Sequence, residues 1–193
     1  MFANSSIRFA ALAVLPLAVS LAADAPRPAP RMVFPTPDGR SVDTYQHLGK
    51  IVALEFILTT CPHCQDTSRA LQRLQDEFGA KGFQALAVAT NPMSHMLIPD
   101  FLKNFGVRFP VGYTQSEKAY EYLQFPSTQI MYYPQMVFID RKGTIVRHAP
   151  GGDELFRGSQ EKNIREQVDK MFSGAPAPAV KKPAAPAPAR KAG

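Results

Sequence analysis

Apolar and polar positions alternate in blocks through residues 32–172, and the block period switches between that of a strand and that of a helix. "KIVALEFIL" (50–58) is a nearly continuous apolar run rich in β-branched residues, the pattern of a central strand buried on both faces. "PHCQDTSRALQRLQDEFGAKG" (62–82) carries Leu71, Leu74 and Phe78 at helical spacing and ends in glycine, predicting an amphipathic helix that starts near Cys61. "GFQALAVAT" (82–90) reads as a second buried strand, and "IPDFLKNFGV" (98–107) and "SEKAYEYL" (116–123) as short helices. "QMVFID" and "TIVRHA" are strands joined by "RKG", a tight-turn signal for an antiparallel hairpin. "DELFRGSQEKNIREQVDKMF" (153–172) puts Ile164, Val168 and Met171 on one face of a closing helix. Upstream, "MVF" and "RSV" flank "PTPDG", a short hairpin. The order β-α-β-α-β-β-α predicts an α/β domain: a mixed β-sheet with helices on both faces.

The ends of the chain read differently. Residues 1–22 combine Arg8, an apolar run too short for a comfortable membrane span, and small residues at Ser20 and Ala22, the pattern of a secretory signal peptide. Residues 23–31 read as a Pro-rich spacer, 32–172 as the globular domain, and 173–193 as a low-complexity Ala/Pro/Lys tail with no apolar face to bury. Of the net charge of +6, Arg8 contributes one and the tail contributes four through Lys181, Lys182, Arg190 and Lys191. The domain itself is left near neutrality, so no nucleic-acid face is expected. Membrane contact is expected only through the signal segment or the basic tail.

The two cysteines of the chain, Cys61 and Cys64, stand three positions apart, with Pro62 and His63 between them. Export to a periplasmic or other extracytoplasmic compartment would let such a pair form a disulfide and keep it. A bridge across so short a step closes almost no loop and would add little stability, so a structural staple is a poor reading. A redox switch and a metal clip remain. The junction of strand and helix favours the switch: the first helical turn offers unpaired N–H groups and a positive dipole end to the Cys61 thiolate.

On "LEFILTTCPHC" and "YYPQMVFIDRKGTIV" the chain resembles the thioredoxin superfamily, and the material between the second strand and Pro134 resembles its TlpA-like branch of exported thiol–disulfide oxidoreductases. The resemblance implies a thioredoxin-like fold over residues 32–172, with Cys61 as the attacking cysteine and Cys64 as the resolving one. Pro134 would be the cis-proline beside the sulfurs, with Tyr133 before it offering backbone hydrogen bonds to an extended substrate. Glu55 occupies the position of the superfamily's buried acid and would relay a proton to or from Cys64. Residue alternation alone leaves two placements for Glu55, inside a fully buried strand or facing water from a half-exposed one; an acid amid "VALEFIL" favours the first.

Pro62 and His63 set the character of the pair. A charged His63 would stabilise the Cys61 thiolate and make the disulfide more oxidising, a lean that the dipeptide does not fix. Implied partners are protein thiols or disulfides and an upstream redox partner; no cofactor is implied. The Trp that usually precedes the first cysteine is replaced by Thr60, and the chain has no Trp at all. Two alternatives stand beside this reading. A peroxiredoxin-like antioxidant would need Thr three residues before its reactive cysteine, where this chain has Leu58. A copper or other metal chaperone would add His95 or His148 to the two thiolates.

Overall fold

The computed structural model describes residues 25–174. The expected signal segment and the Ala/Pro/Lys stretch from residue 175 lie outside the described residues.

Among the described residues, eight strands and four α-helices follow one another: β1 Arg27–Pro28, β2 Val33–Pro35, β3 Ser41–Asp43, β4 Ile51–Ile57, α1 Pro62–Phe78, β5 Phe83–Ala89, α2 Ser94–Phe105, β6 Val111–Tyr113, α3 Ser116–Leu123, β7 Gln135–Ile139, β8 Thr144–Ala149 and α4 Gln160–Ser173. A six-stranded sheet has the order β1-β8-β7-β4-β5-β6, and β2 and β3 form a separate hairpin. Within the large sheet β4 pairs parallel with β5 and antiparallel with β7, so the sheet is mixed, as expected. In the β7–β8 turn, Gly143 adopts φ +82°, a conformation that L side chains rarely take.

Every residue of β4 is buried, which explains its unbroken apolar run. Alternation divides its side chains between two cores. Ile51, Ala53 and Ile57 join α1, α2 and α4 on one face; Val52, Leu54 and Phe56 join α3 and Phe34 of the β2–β3 hairpin on the other. Helices therefore cover both faces.

Three details depart from the sequence pattern. Residues 25–31, read as a spacer, are built into the domain: β1 pairs with β8, and Ala29 is buried. Helix α2 starts at Ser94, four residues before the apolar segment that announced it, and runs through Pro99. That proline removes one helical N–H, but Ile98 and Phe101 still pack into the core. Strand β6 was not anticipated: three residues with a central glycine carry no periodic signal, and its pairing with β5 creates it. Among the described residues, no helix is long and apolar enough to cross a membrane.

Candidate active site

Strand β4 ends at Ile57 and α1 begins at Pro62, which places Cys61 at the N-cap of a 17-residue helix. Cys61 has extended backbone angles, and its carbonyl accepts the first helical bond from Gln65 N at 3.0 Å. No side chain caps this end, which leaves first-turn N–H groups without a side-chain partner and puts Cys61 at the positive end of the helix dipole. Pro62 at the first helical position is pre-set for the turn and has no N–H to leave unpaired. Pro62 and His63 are exposed, and the His63 carbonyl accepts from Thr67 Oγ1 at 2.8 Å.

The two cysteines are both free thiols in unequal surroundings. Cys61 is half-buried and Cys64, one turn further in, is fully buried. Burial pushes the Cys64 thiol well above its ordinary range, and the neighbouring Glu55 and a hydrogen bond with Cys61 push the same way; the Leu58 N–H directed at its sulfur opposes them.

Glu55 is fully buried, on the face of β4 that packs against α1. Its Oε2 accepts from Ser68 Oγ at 2.9 Å, while its Oε1 has no hydrogen-bond partner. Desolvation raises the Glu55 carboxyl well above the usual carboxylate range, and the Ser68 bond only partly offsets this. The face of the neighbouring strand is trimmed to match: Ala87 stands opposite Glu55, between Ala85 and Ala89 on the same face of β5.

The loop before β7 closes the site. The Tyr133–Pro134 peptide is cis, and Tyr133 O lies 3.9 Å from Cys61 Sγ, an S–H···O contact. Tyr133 Oη meets Thr90 Oγ1 at 2.8 Å, joining this loop to the end of β5. Asn91 Oδ1 accepts from Thr59 N at 2.9 Å and Asn91 Nδ2 donates to Thr59 Oγ1 at 3.0 Å, fixing the approach to Cys61. Behind Pro134, Gln135 Nε2 donates to Tyr132 O at 2.7 Å, and Gln135 Oε1 meets His148 Nε2 at the same distance.

All seven singled-out residues thus lie at one end of the sheet, in or beside the β4–α1 turn and the loop before β7. Ser68, Thr90, Asn91 and Gln135 were not singled out. Ser68 could have been found, since it stands four residues after Cys64 and so on the same face of α1. Asn91 follows the parallel partner of β4, whose last residue Ala89 is in register with Ile57; adjacent parallel strands end side by side. Of the histidines weighed as metal ligands, His148 is held by Gln135, and His95 is exposed with its ring 5.6 Å from that of Tyr113. Among the described residues, no group of three or more His, Cys, Asp or Glu side chains is arranged to hold a metal ion.

Comparison with known proteins bears on this arrangement. The thiol:disulfide interchange protein of the thioredoxin family from Chlorobium tepidum TLS superposes with a TM-score of 0.64 at 22% identity, over 78% of this chain and 99% of that one. A thiol:disulfide interchange protein from Bacteroides sp. superposes with a TM-score of 0.64, again at 22% identity, over 80% of this chain and 94% of that one. The fold is therefore thioredoxin-like. In sequence, the chain is 26% identical over 118 residues to thiol-disulfide oxidoreductase ResA of Halalkalibacterium halodurans, covering 60% of this chain and 62% of the relative. It is 33% identical over 98 residues to a Xenopus laevis protein named "Probable glutathione peroxidase 8-B", covering 44% of this chain. The match spans about half the length of that relative, 47%. The model of the AhpC/TSA family matches residues 26–148, from the edge strand β1 to the end of β8, and the chain belongs to that family.

Proposed function

We propose that this chain is an exported thiol–disulfide oxidoreductase that exchanges disulfides with protein clients through Cys61 and Cys64. The observation that carries the reading is the unequal pair: an accessible sulfur at an uncapped helix N-terminus, backed one turn deeper by a buried thiol beside a buried carboxyl. The name of the ResA relative supports it. Export rests on the signal-like residues 1–22.

In the oxidising direction a client thiolate attacks Cys61 Sγ of the protein disulfide. The Cys61–Cys64 bond breaks, and Cys64 leaves with the electron pair. Its strong preference for the thiol form requires a proton, which the Glu55 carboxyl supplies. A second client thiolate then attacks the client sulfur of the mixed disulfide, and Cys61 departs as a thiolate that the helix end stabilises. The client gains one disulfide, the protein holds two thiols, and an upstream redox partner resets the pair. In the reducing direction the same steps run backwards, with Glu55 taking the Cys64 proton. Tyr133 O, facing Cys61, is placed to accept a backbone N–H from an extended client.

Cys64→Ser should accumulate mixed disulfides between Cys61 and client proteins that dithiothreitol releases; a trap that catches nothing overturns the reading. Equilibration with glutathione assigns the direction. A poise as reducing as thioredoxin, about −270 mV, rejects the oxidising lean suggested by Pro62 and His63.

Peroxide reduction is the second reading, favoured by the family and by the glutathione peroxidase name of one relative. There the Cys61 thiolate would be oxidised to a sulfenic acid with release of the alcohol or water, and Cys64 would condense with it, releasing water. Leu58 occupies the position where a peroxiredoxin-like site would offer a Thr hydroxyl. Rapid peroxide consumption by the reduced protein would favour this reading over the first.

A further inference from the structure

Strand β7 opens on a residue that an apolar core does not call for. Gln135 is fully buried, and Met136 to Ile139 after it are buried too. A buried amide is costly unless its polar atoms are matched, and here both are. Gln135 Nε2 donates to Tyr132 O at 2.7 Å, and Gln135 Oε1 meets His148 Nε2 at 2.7 Å. Because the amide nitrogen is committed to a carbonyl, its oxygen faces the imidazole, and His148 Nε2 must donate. A chain of two bonds therefore runs from His148, in β8, through Gln135 to the carbonyl of Tyr132.

That carbonyl belongs to the peptide unit that enters Tyr133. The unit is planar, so holding Tyr132 O also holds the Tyr133 nitrogen. Gly151, two residues past the end of β8, closes on the same unit: a Cβ there would stand 2.4 Å from Tyr132 O. On its other side Tyr133 is tied through its hydroxyl, which meets Thr90 Oγ1 at 2.8 Å. Between these anchors Tyr133 O lies 3.9 Å from Cys61 Sγ. The end of β8 thus sets, from behind, the direction of the carbonyl beside the reacting sulfur.

We propose that Gln135 and His148 are positioning residues that aim the Tyr133 carbonyl at a client's backbone N–H, and so favour polypeptide disulfides over small ones. This rests on the thiol–disulfide reading above. Both side chains act through the Tyr132–Tyr133 backbone and take no part in the electron-pair steps. A hydrogen bond weakens steeply with misalignment, so a carbonyl free to swing would hold a peptide poorly. A small aromatic disulfide has no backbone N–H and gains nothing from the aim.

The test compares kcat/KM for a disulfide-linked peptide with that for a small aromatic disulfide, in variants whose folding is checked by their urea midpoints. His148→Leu removes the donor, and the peptide-to-aromatic ratio should fall about tenfold, the scale of one hydrogen bond, with the loss mostly in the peptide's KM. Gln135→Met is similar in length but lacks the amide, and should lose a similar factor. The two losses should not add in the double variant, because either substitution cuts the same relay. His148→Gln, whose amide nitrogen can stand near the place of Nε2, should restore most of the ratio. An unchanged ratio in His148→Leu and Gln135→Met overturns the proposal, and either variant decides this if the other fails to fold. An equal loss for both substrates also overturns it, since that marks a general distortion of the site. So does a His148→Gln variant as impaired as His148→Leu. No exchange between the wild type and either substrate would instead strike down the oxidoreductase reading, and the relay with it.

Discussion

The two faces of strand β4 are built from alternate residues of one seven-residue segment, yet they differ in kind. On the α3 side, Val52, Leu54 and Phe56 meet Leu86, Val88 and Val137 in an apolar core, with the Phe56 and Tyr122 rings 5.5 Å apart and the uncharged Tyr122 hydroxyl buried without a partner. On the α1 side, Glu55 interrupts the series between Ala53 and Ile57, β5 is pared down to alanines, and α1 brings Ser68 and Cys64 to the gap. The α3 face satisfies the ordinary demand of folding, the removal of apolar surface from water. The α1 face accepts a buried acid with one oxygen unpartnered, a cost that folding alone would not select. Apolar packing holds both sides of the strand, and the candidate site interrupts it on one of them.

Breaking the α3 side should have the largest effect on stability. Phe56→Ala removes a fully buried ring and should cost about 3–5 kcal/mol in urea denaturation, while the folded fraction keeps its exchange rate. A comparable fall in the rate of folded protein would show that the two faces are not separable.

Glu55→Gln tests the other side and should reverse the signature. Disulfide exchange should slow by about 100-fold at the step involving Cys64, the lower range for loss of a general acid, while stability at neutral pH rises. The pH dependence gives the sign. Burial makes the folded chain hold the Glu55 proton more tightly than the unfolded chain does. Stability is therefore full below the ordinary carboxyl value of 4.5 and declines as pH rises toward the folded one. Thermal melts of the wild type from pH 4 upward should show that decline, and the Gln variant should lack this contribution. A variant destabilised at high pH would contradict the buried-acid description.

Ser68→Ala should be the mildest. Removing its hydroxyl leaves the Glu55 carboxyl without a hydrogen-bond partner, at a cost of about 1 kcal/mol, and raises the carboxyl further. The decline of stability with pH should therefore begin at the same pH as in the wild type and continue to higher pH. A Ser68→Ala profile that coincides with the wild type would mean that the hydroxyl does not position the acid.

Much of this was legible in the chain. The strand-helix order, the buried character of β4 and the placement of Cys61 at a helix start follow from local periodicity and turn chemistry, because each is decided within about one element length. Glu55 could be suspected because an acid inside "VALEFIL" conflicts with its surroundings. Other features had no local signal. Strand β6 exists because β5 offers it an edge. Residues 25–31 looked like a linker because prolines punctuate them, but an edge strand tolerates proline where its missing N–H is not needed.

The sequence by itself determined which residues could do thiol chemistry and on what kind of element they stand, since Cys-x-x-Cys at a strand-to-helix turn is a local pattern. Only the tertiary structure decided that Glu55 is buried with one oxygen unpartnered beside Ser68, and that the loops after β5 and before β7 are bonded to each other beside the Cys61 sulfur. Burial and proximity are set by how sheet and helices pack, and no window of sequence holds both sides of that contact.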